Sequence, residues 1–114
     1  MEDCLFCKIA NKEMATELAY EDDDIVAFHD INPVAPTHIL IIPKKHIATS
    51  NDLSADDCML AGKLILTARK IAADLGFAEK GYRLTMNCNS CGGQEVFHIH
   101  LHLLAGRQMS WPPG

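Results

Sequence analysis

The chain has 114 residues, 48% of them hydrophobic, which is enough to fill one core and too few to divide among several. A formal net charge of -5 argues against the basic surface that nucleic-acid binding needs. The acidic start Met1-Glu2-Asp3-Cys4 is not followed by a long apolar run, so neither a secretory signal nor a membrane span is expected, and five cysteines, an odd number, fit reduced thiols in a cytoplasmic setting.

In chain order, residues Cys4 to about Lys12 read as a short helix. Leu18-Ala19-Tyr20 and Ile25-Val26-Ala27-Phe28 then flank the acidic turn Glu21-Asp22-Asp23-Asp24 and predict a hairpin. Pro33 and Pro36 force a loop, after which His38-Ile39-Leu40-Ile41-Ile42 is a β-branched strand that Pro43 ends. Lys44 and Lys45 at its exit read as a solvated edge. Ser54 is placed to cap the clearest helix, with Asp57 three residues on, as in a capping box. Leu60, Leu64, Ile65, Ala68, Ile71, Ala72 and Leu75 recur at helical spacing and predict its core face, and Gly76 is placed to end it. Two more strands are expected over Tyr82 to about Asn87 and over Phe97 to Leu104. They are joined by a loop from Cys88 to Glu95 whose glycines allow backbone N–H groups to approach an anion closely. The expected architecture is α+β: a five-stranded antiparallel meander with one long helix and a short N-terminal one, in a single domain over residues 1–114 with residues 106–114 as a C-terminal tail.

Within the last predicted strand, His98, His100 and His102 alternate with Ile99, Leu101 and Leu103. On a strand the imidazoles share one face and the aliphatics the other, whereas on a helix His100 would point away from its neighbours. A lone histidine on such a face is most simply a satisfied core residue; three are not. As zinc ligands they fit poorly, because same-face neighbours lie about 6.6 Å apart and all three spread over about 13 Å. Nucleophilic catalysis suits the spacing better, with the middle imidazole attacking while its neighbours orient it and move protons.

The run His98-Ile99-His100-Leu101-His102-Leu103-Leu104 resembles the pattern that names the histidine triad superfamily, and nearly the whole chain is similar to its Hint branch of nucleoside phosphoramidases. The resemblance also covers Cys4 to Ile9, Phe28-His29-Asp30-Ile31, Ala35-Pro36-Thr37-His38, Ile42-Pro43-Lys44-Lys45-His46, Gly92-Gly93-Gln94, and the ending Gly106-Arg107-Gln108-Met109 with Trp111-Pro112-Pro113-Gly114. It implies a purine nucleoside phosphoramidase in which His100 is the nucleophile and forms a nucleotidyl-histidine, with His102, His38 and His98 around it and no cofactor needed for catalysis. It assigns Asp30 to the ribose hydroxyls, Asn87, Gly93 and Gln94 to the phosphate side, and Leu5, Phe6, Ile9, Phe28 and His29 to the nucleobase side. Read alone, Asp30 would be a turn acid and those apolar residues would be core. Glu95 stands where some Hint proteins carry serine, and a carboxylate beside a phosphate is unfavourable unless it turns outward.

Cys4-x-x-Cys7 has zinc-ligand spacing, and in some relatives such a pair joins two histidines around a metal; the equivalents here are His46 and His98. Several Hint proteins keep the cysteines without needing zinc, so both states stay open. Cys88 and Cys91 read as exposed thiols. The resemblance further implies a homodimer through a continuous sheet, with Trp111 in a tail that reaches the partner's substrate; the acidic charge balance and the lack of a long apolar run predict no nucleic-acid or membrane partner. The alternative is a nucleotide-binding regulator or scaffold with incidental hydrolysis; retention of four imidazoles favours the enzyme.

Overall fold

Alternation of side chains along three neighbouring strands gives this molecule two apolar layers, one on each side of a single sheet. The computed structural model describes residues 3–114; Met1 and Glu2 lie outside the described residues. The elements are α1 (Leu5–Ala10), β1 (Leu18–Glu21), β2 (Ile25–His29), β3 (Thr37–Pro43), α2 (Cys58–Asp74), β4 (Arg83–Thr85) and β5 (Leu101–Ala105). All strand pairs are antiparallel and the sheet order is β1-β2-β3-β5-β4. Ile25, Ala27, Ile39, Ile41, Leu101 and Leu103 face α2, where Leu64, Ala68, Ile71 and Ala72 cover them. Val26, Phe28, Leu40 and Ile42 face the other way, onto Phe6, Ile9 and Ala10 of α1.

The α+β class and the five antiparallel strands are as expected, but the order is not a strict meander. Between β3 and β4 the chain crosses the sheet through α2, so β4 is free of the need to lie beside β3. The strand buried at alternate positions, β5, takes the inner place, and the half-buried Arg83–Thr85 takes the edge.

Local chemistry sets the ends of the elements. The Cys4 sulfur caps α1 by accepting from the Cys7 N–H at 3.2 Å. In the β1–β2 turn, Asp22 Oδ1 accepts from the N–H groups of Asp24 and Ile25, both at 2.8 Å. Ser54 and Asp57 do form a capping box, but it opens a single 3₁₀ turn, Ala55–Asp57, and α2 proper follows. Gly76, with φ 85°, comes just after the end of that helix.

Two of the residues assigned to the helix's core face are exposed, Ile65 at 55% and Leu75 at 51%. Each residue turns a helix by about 100°, which places Ile65 beside the buried stripe of Leu64, Thr67, Ala68, Ile71 and Ala72, and Leu75 is already the cap beyond the last turn.

The last two strands are shorter than expected, and this shapes the site. β5 begins at Leu101, so His98 and His100 precede it. Its ladder with β3 ends at the pair Ile41–Leu101. Continuing by one pleat would set Ile99 against Pro43, which has no N–H and whose carbonyl is taken by His98 Nε2 at 2.7 Å. Ile99 instead donates its N–H to the Ile47 carbonyl at 2.8 Å. The alternation survives outside the ladder: Ile99 packs on the α2 side, and His98 and His100 meet Phe6 on the other. β4 likewise stops at Thr85, opposite His102, where β5 has only just begun.

Candidate active site

Each imidazole of the triad has a partner that decides which nitrogen carries its proton. His100 Nδ1 lies 2.8 Å from the carbonyl oxygen of His98. A carbonyl only accepts, so Nδ1 bears the hydrogen and Nε2 keeps a lone pair. The ring of Phe6 stands edge-on to His100, with centroids 5.1 Å apart and an interplanar angle of 89°, which fixes the plane of that lone pair.

His102 and His38 form a second unit. His38 Nδ1 accepts the Val34 N–H at 3.2 Å, so the proton of a neutral His38 is on Nε2. That nitrogen is 2.9 Å from His102 Nδ1, which must therefore accept. The remaining proton of His102 sits on Nε2. The ring centroids of His100 and His102 are 4.9 Å apart, so a bare nitrogen and a protonated one occupy neighbouring rings. Asp30 Oδ2 lies 3.5 Å from His38 Nε2, and its Oδ1 accepts the Asn32 N–H at 2.8 Å. Asp30 is thus the turn acid that its position suggests and also a neighbour of the histidine pair.

Burial lowers the pKa of His38, opposed by Asp30, and pushes His102 down to about 4, helped by His100 and His38. Both are neutral near pH 7. Asp30, His38 and His102 offer three donor atoms within 4.8 Å of one another. They do not suit a metal, because the Val34 N–H keeps a proton on His38 Nε2, between the two rings.

Behind the triad, Cys4, Cys7, His46 and His98 bring two sulfurs and two nitrogens within 4.8 Å of one another. His98 Nε2 donates to Pro43, which leaves its Nδ1 lone pair facing Cys4 Sγ at 3.3 Å and Cys7 Sγ at 3.4 Å. His46 Nδ1 lies 3.2 Å from Cys7 Sγ. In a tetrahedral zinc site, Zn–S near 2.3 Å and Zn–N near 2.0 Å set donor–donor separations of about 3.3–3.8 Å, so these residues fit a zinc ion with small adjustments. Burial and the neighbouring Cys4 push the Cys7 thiol up to about 11.

The other expected residues are divided between the site and the core. Phe6, Ile9 and Phe28 are buried, whereas Leu5 and His29 are exposed. Asn87 donates to the Gly92 carbonyl across the glycine loop. Gly92 must stay glycine, because a Cβ there would strike the Cys88 carbonyl, and Gly93 has φ 76°. Gln94 is buried and its side chain is fully used: it donates to the Ala48 and Val96 carbonyls and accepts from the Asn89 N–H. Glu95 is exposed, in a groove of about 560 Å³ lined by Asp3, Leu5, His46 and Phe97 among others.

Cys91 is exposed as expected, but Cys88 is half-buried; donors led by the Ser50 hydroxyl hold its thiol below the usual range. Lys44 and Lys45 pair with Glu21 and Asp57, away from the histidines. Trp111 is 82% exposed. Val34 was not anticipated, since its contribution is a backbone N–H that no side-chain pattern announces.

The HIT domain family model matches residues 11–109 of this chain. The chain is 53% identical over 108 residues to a purine nucleoside phosphoramidase of Escherichia coli strain K12, covering 95% of this chain and 91% of that protein. Its fold superposes on a HIT family hydrolase from Legionella pneumophila with a TM-score of 0.96 at 60% identity, covering 98% of this chain and 100% of that one. A histidine triad protein from Clostridium difficile gives a TM-score of 0.94 at 45% identity, with 96% of each chain covered.

The buried neutral histidines predict how stability responds to acid. In the unfolded chain His38 and His102 titrate near 6.5, whereas in the folded protein they stay neutral until lower pH, His102 until about 4. The unfolded state therefore binds more protons in that window, and stability falls as pH drops from 6.5 toward 4. Urea midpoints should be level above about pH 7 and decline below it, and His102→Asn should make the decline shallower. A midpoint with the same pH dependence in both proteins would contradict the assignment.

Proposed function

Because the chain belongs to the HIT domain family, we propose that it hydrolyses purine nucleoside 5′-phosphoramidates, of the adenosine phosphoramidate or AMP-lysine type, to the nucleoside monophosphate and the free amine. The observation that carries this reading is the pairing of a bare His100 Nε2 with a protonated His102 Nε2 on adjacent rings. The E. coli relative named for this activity supports it.

In the first step the His100 Nε2 lone pair forms a bond to the α-phosphorus while the P–N bond breaks. Its electrons stay on the departing nitrogen, which takes the proton from His102 Nε2 and leaves as a neutral amine. Bond formation places positive charge on the His100 ring, whose Nδ1–H remains on the His98 carbonyl. The charge left on the His38–His102 pair faces that ring, 4.9 Å away between centroids. In the second step water gives a proton to His102 Nε2, its oxygen bonds to phosphorus, and His100 leaves neutral with its original tautomer restored. A neutral nucleophile is suited to a phosphorus that already carries anionic oxygens, and burial keeps the neighbouring His38 and His102 from adding positive charge beside it. In this reading Asp30 receives the ribose hydroxyls, Asn87 and the Gly93–Gln94 loop border the phosphate, and Leu5 and His29 flank the base. A cytoplasmic setting belongs to the same reading, since it keeps Cys4 and Cys7 as thiols.

Cys4, Cys7, His46 and His98 are assigned to a structural zinc. When bound, the ion would hold both sulfurs as thiolates and anchor His98, the one triad member turned away from the chemistry. A homodimer is assigned from three exposed features: the free edge of β4, the apolar residues Met59, Ile65 and Leu66 on α2, and Trp111.

His100→Asn should lower turnover of adenosine phosphoramidate by roughly 10³-fold or more while nucleotide binding persists, and acid-quenched wild-type protein should carry its nucleotidyl group on His100. Label on another histidine would reassign the nucleophile. Elemental analysis should find about one zinc per chain, reduced in Cys7→Ser; purified protein that is metal-free and fully stable would remove zinc from the account. Sedimentation should give twice the mass of the 12.6 kDa chain, and deleting residues 110–114 should alter selectivity among leaving amines more than it alters the fold. A monomer, or unaltered selectivity, would refute the assigned role of the tail.

A further inference from the structure

The tautomer of the His38–His102 pair depends on Val34, and Val34 in turn is held by a residue from the far end of the chain. β3 and β5 pair Thr37 with Ala105, so the loop before β3 and the segment after β5 leave the sheet side by side. Two contacts join them. Gly106, with φ 96°, approaches Pro36 so closely that a Cβ would lie 2.8 Å from the Pro36 Cβ. Arg107 Nε donates to the Val34 carbonyl at 3.1 Å, while its Nη1 reaches the Gln108 carbonyl at 3.3 Å. Val34 thus has its carbonyl held by Arg107 and its N–H on His38 Nδ1.

A neutral imidazole has one proton for two nitrogens. With the Val34 N–H in place, His38 Nδ1 must accept, His38 Nε2 must donate to His102 Nδ1, and the His102 proton must be on Nε2. If Val34 moves away, His38 is free to protonate Nδ1. Its Nε2 then accepts, His102 turns its hydrogen to Nδ1, and the nitrogen that faces the leaving group has nothing to give.

We propose that Arg107 is a positioning residue for the leaving-group proton: it holds Val34 so that His38 and His102 stay in the tautomers that protonate His102 Nε2. The proposal rests on the phosphoramidase reading, and it concerns one half of the first step only. Attack by His100 does not depend on Arg107, because the His100 tautomer is set by the His98 carbonyl.

The test compares two substrates of the full-length protein. An alkylamine phosphoramidate of AMP needs a proton on its leaving nitrogen, whereas the p-nitrophenyl ester of AMP expels a stable phenolate and needs none. Arg107→Ala should lower kcat/KM for the alkylamine substrate by about fivefold to tenfold, the kinetic equivalent of one hydrogen bond, and leave the aryl ester within about twofold. Arg107→Lys, which restores a donor to the Val34 carbonyl, should recover part of the loss. Imidazole ¹⁵N spectra should show the wild-type His38 with an unprotonated Nδ1 and His102 with a protonated Nε2, and the signals of both rings should move toward tautomer averaging in Arg107→Ala. Equal loss on both substrates, no loss on either, or unchanged ¹⁵N signals would overturn the proposal. Wild-type protein that cleaves neither substrate would refute the phosphoramidase reading instead, and the ¹⁵N comparison then decides the role of Arg107 without any turnover.

Discussion

The buried hydrogen bond from His98 Nε2 to the Pro43 carbonyl organises everything around the triad. It occupies the acceptor that the next rung of the β3–β5 ladder would have used, on a residue that has no donor to offer. The backbone from His98 to His100 is thereby released from the sheet, and the His98 carbonyl becomes available to His100 Nδ1. The same bond orients His98 so that its other nitrogen faces Cys4 and Cys7. One satisfied polar contact thus links the end of a strand, the tautomer of the central imidazole and the cysteine–histidine cluster.

Around this contact, burial sets the electrostatics. The histidines that flank the central one are held neutral mainly by desolvation, which outweighs the opposing carboxylate of Asp30. Neutral rings need partners of fixed polarity, and here those partners are mostly backbone groups: the Pro43 and His98 carbonyls and the Val34 N–H. Backbone groups cannot titrate, so the proton positions they impose persist across the range in which the side chains would otherwise exchange roles.

The two faces of the sheet divide the work. α2 covers one face with Leu64, Ala68, Ile71 and Ala72, and this layer has no polar role. α1 covers the other with Phe6 and Ile9, and its ring from Phe6 reaches both His98 and His100. A residue that reads as ordinary core therefore also aligns the central imidazole, which is why separating core from site along α1 fails at the level of single residues.

What the sequence determined by itself was periodic: alternation in β2, β3 and the triad, helical spacing in α2, and the caps at Ser54 and Gly76 all translate directly into local geometry, because each depends on neighbours within a few residues. The resemblance of the ordered motifs added the chemistry that such a face carries out. Tertiary structure alone decided the strand order, since a helical crossover frees β4 from β3, and it decided where β5 begins, since that depends on what Pro43 can offer across the sheet. It also decided the exposure of Ile65 and Leu75, the internal use of Gln94, and the approach of Arg107 to Val34. These last depend on groups brought together from distant parts of the chain, in several cases through backbone atoms, which every residue type shares and no sequence pattern distinguishes.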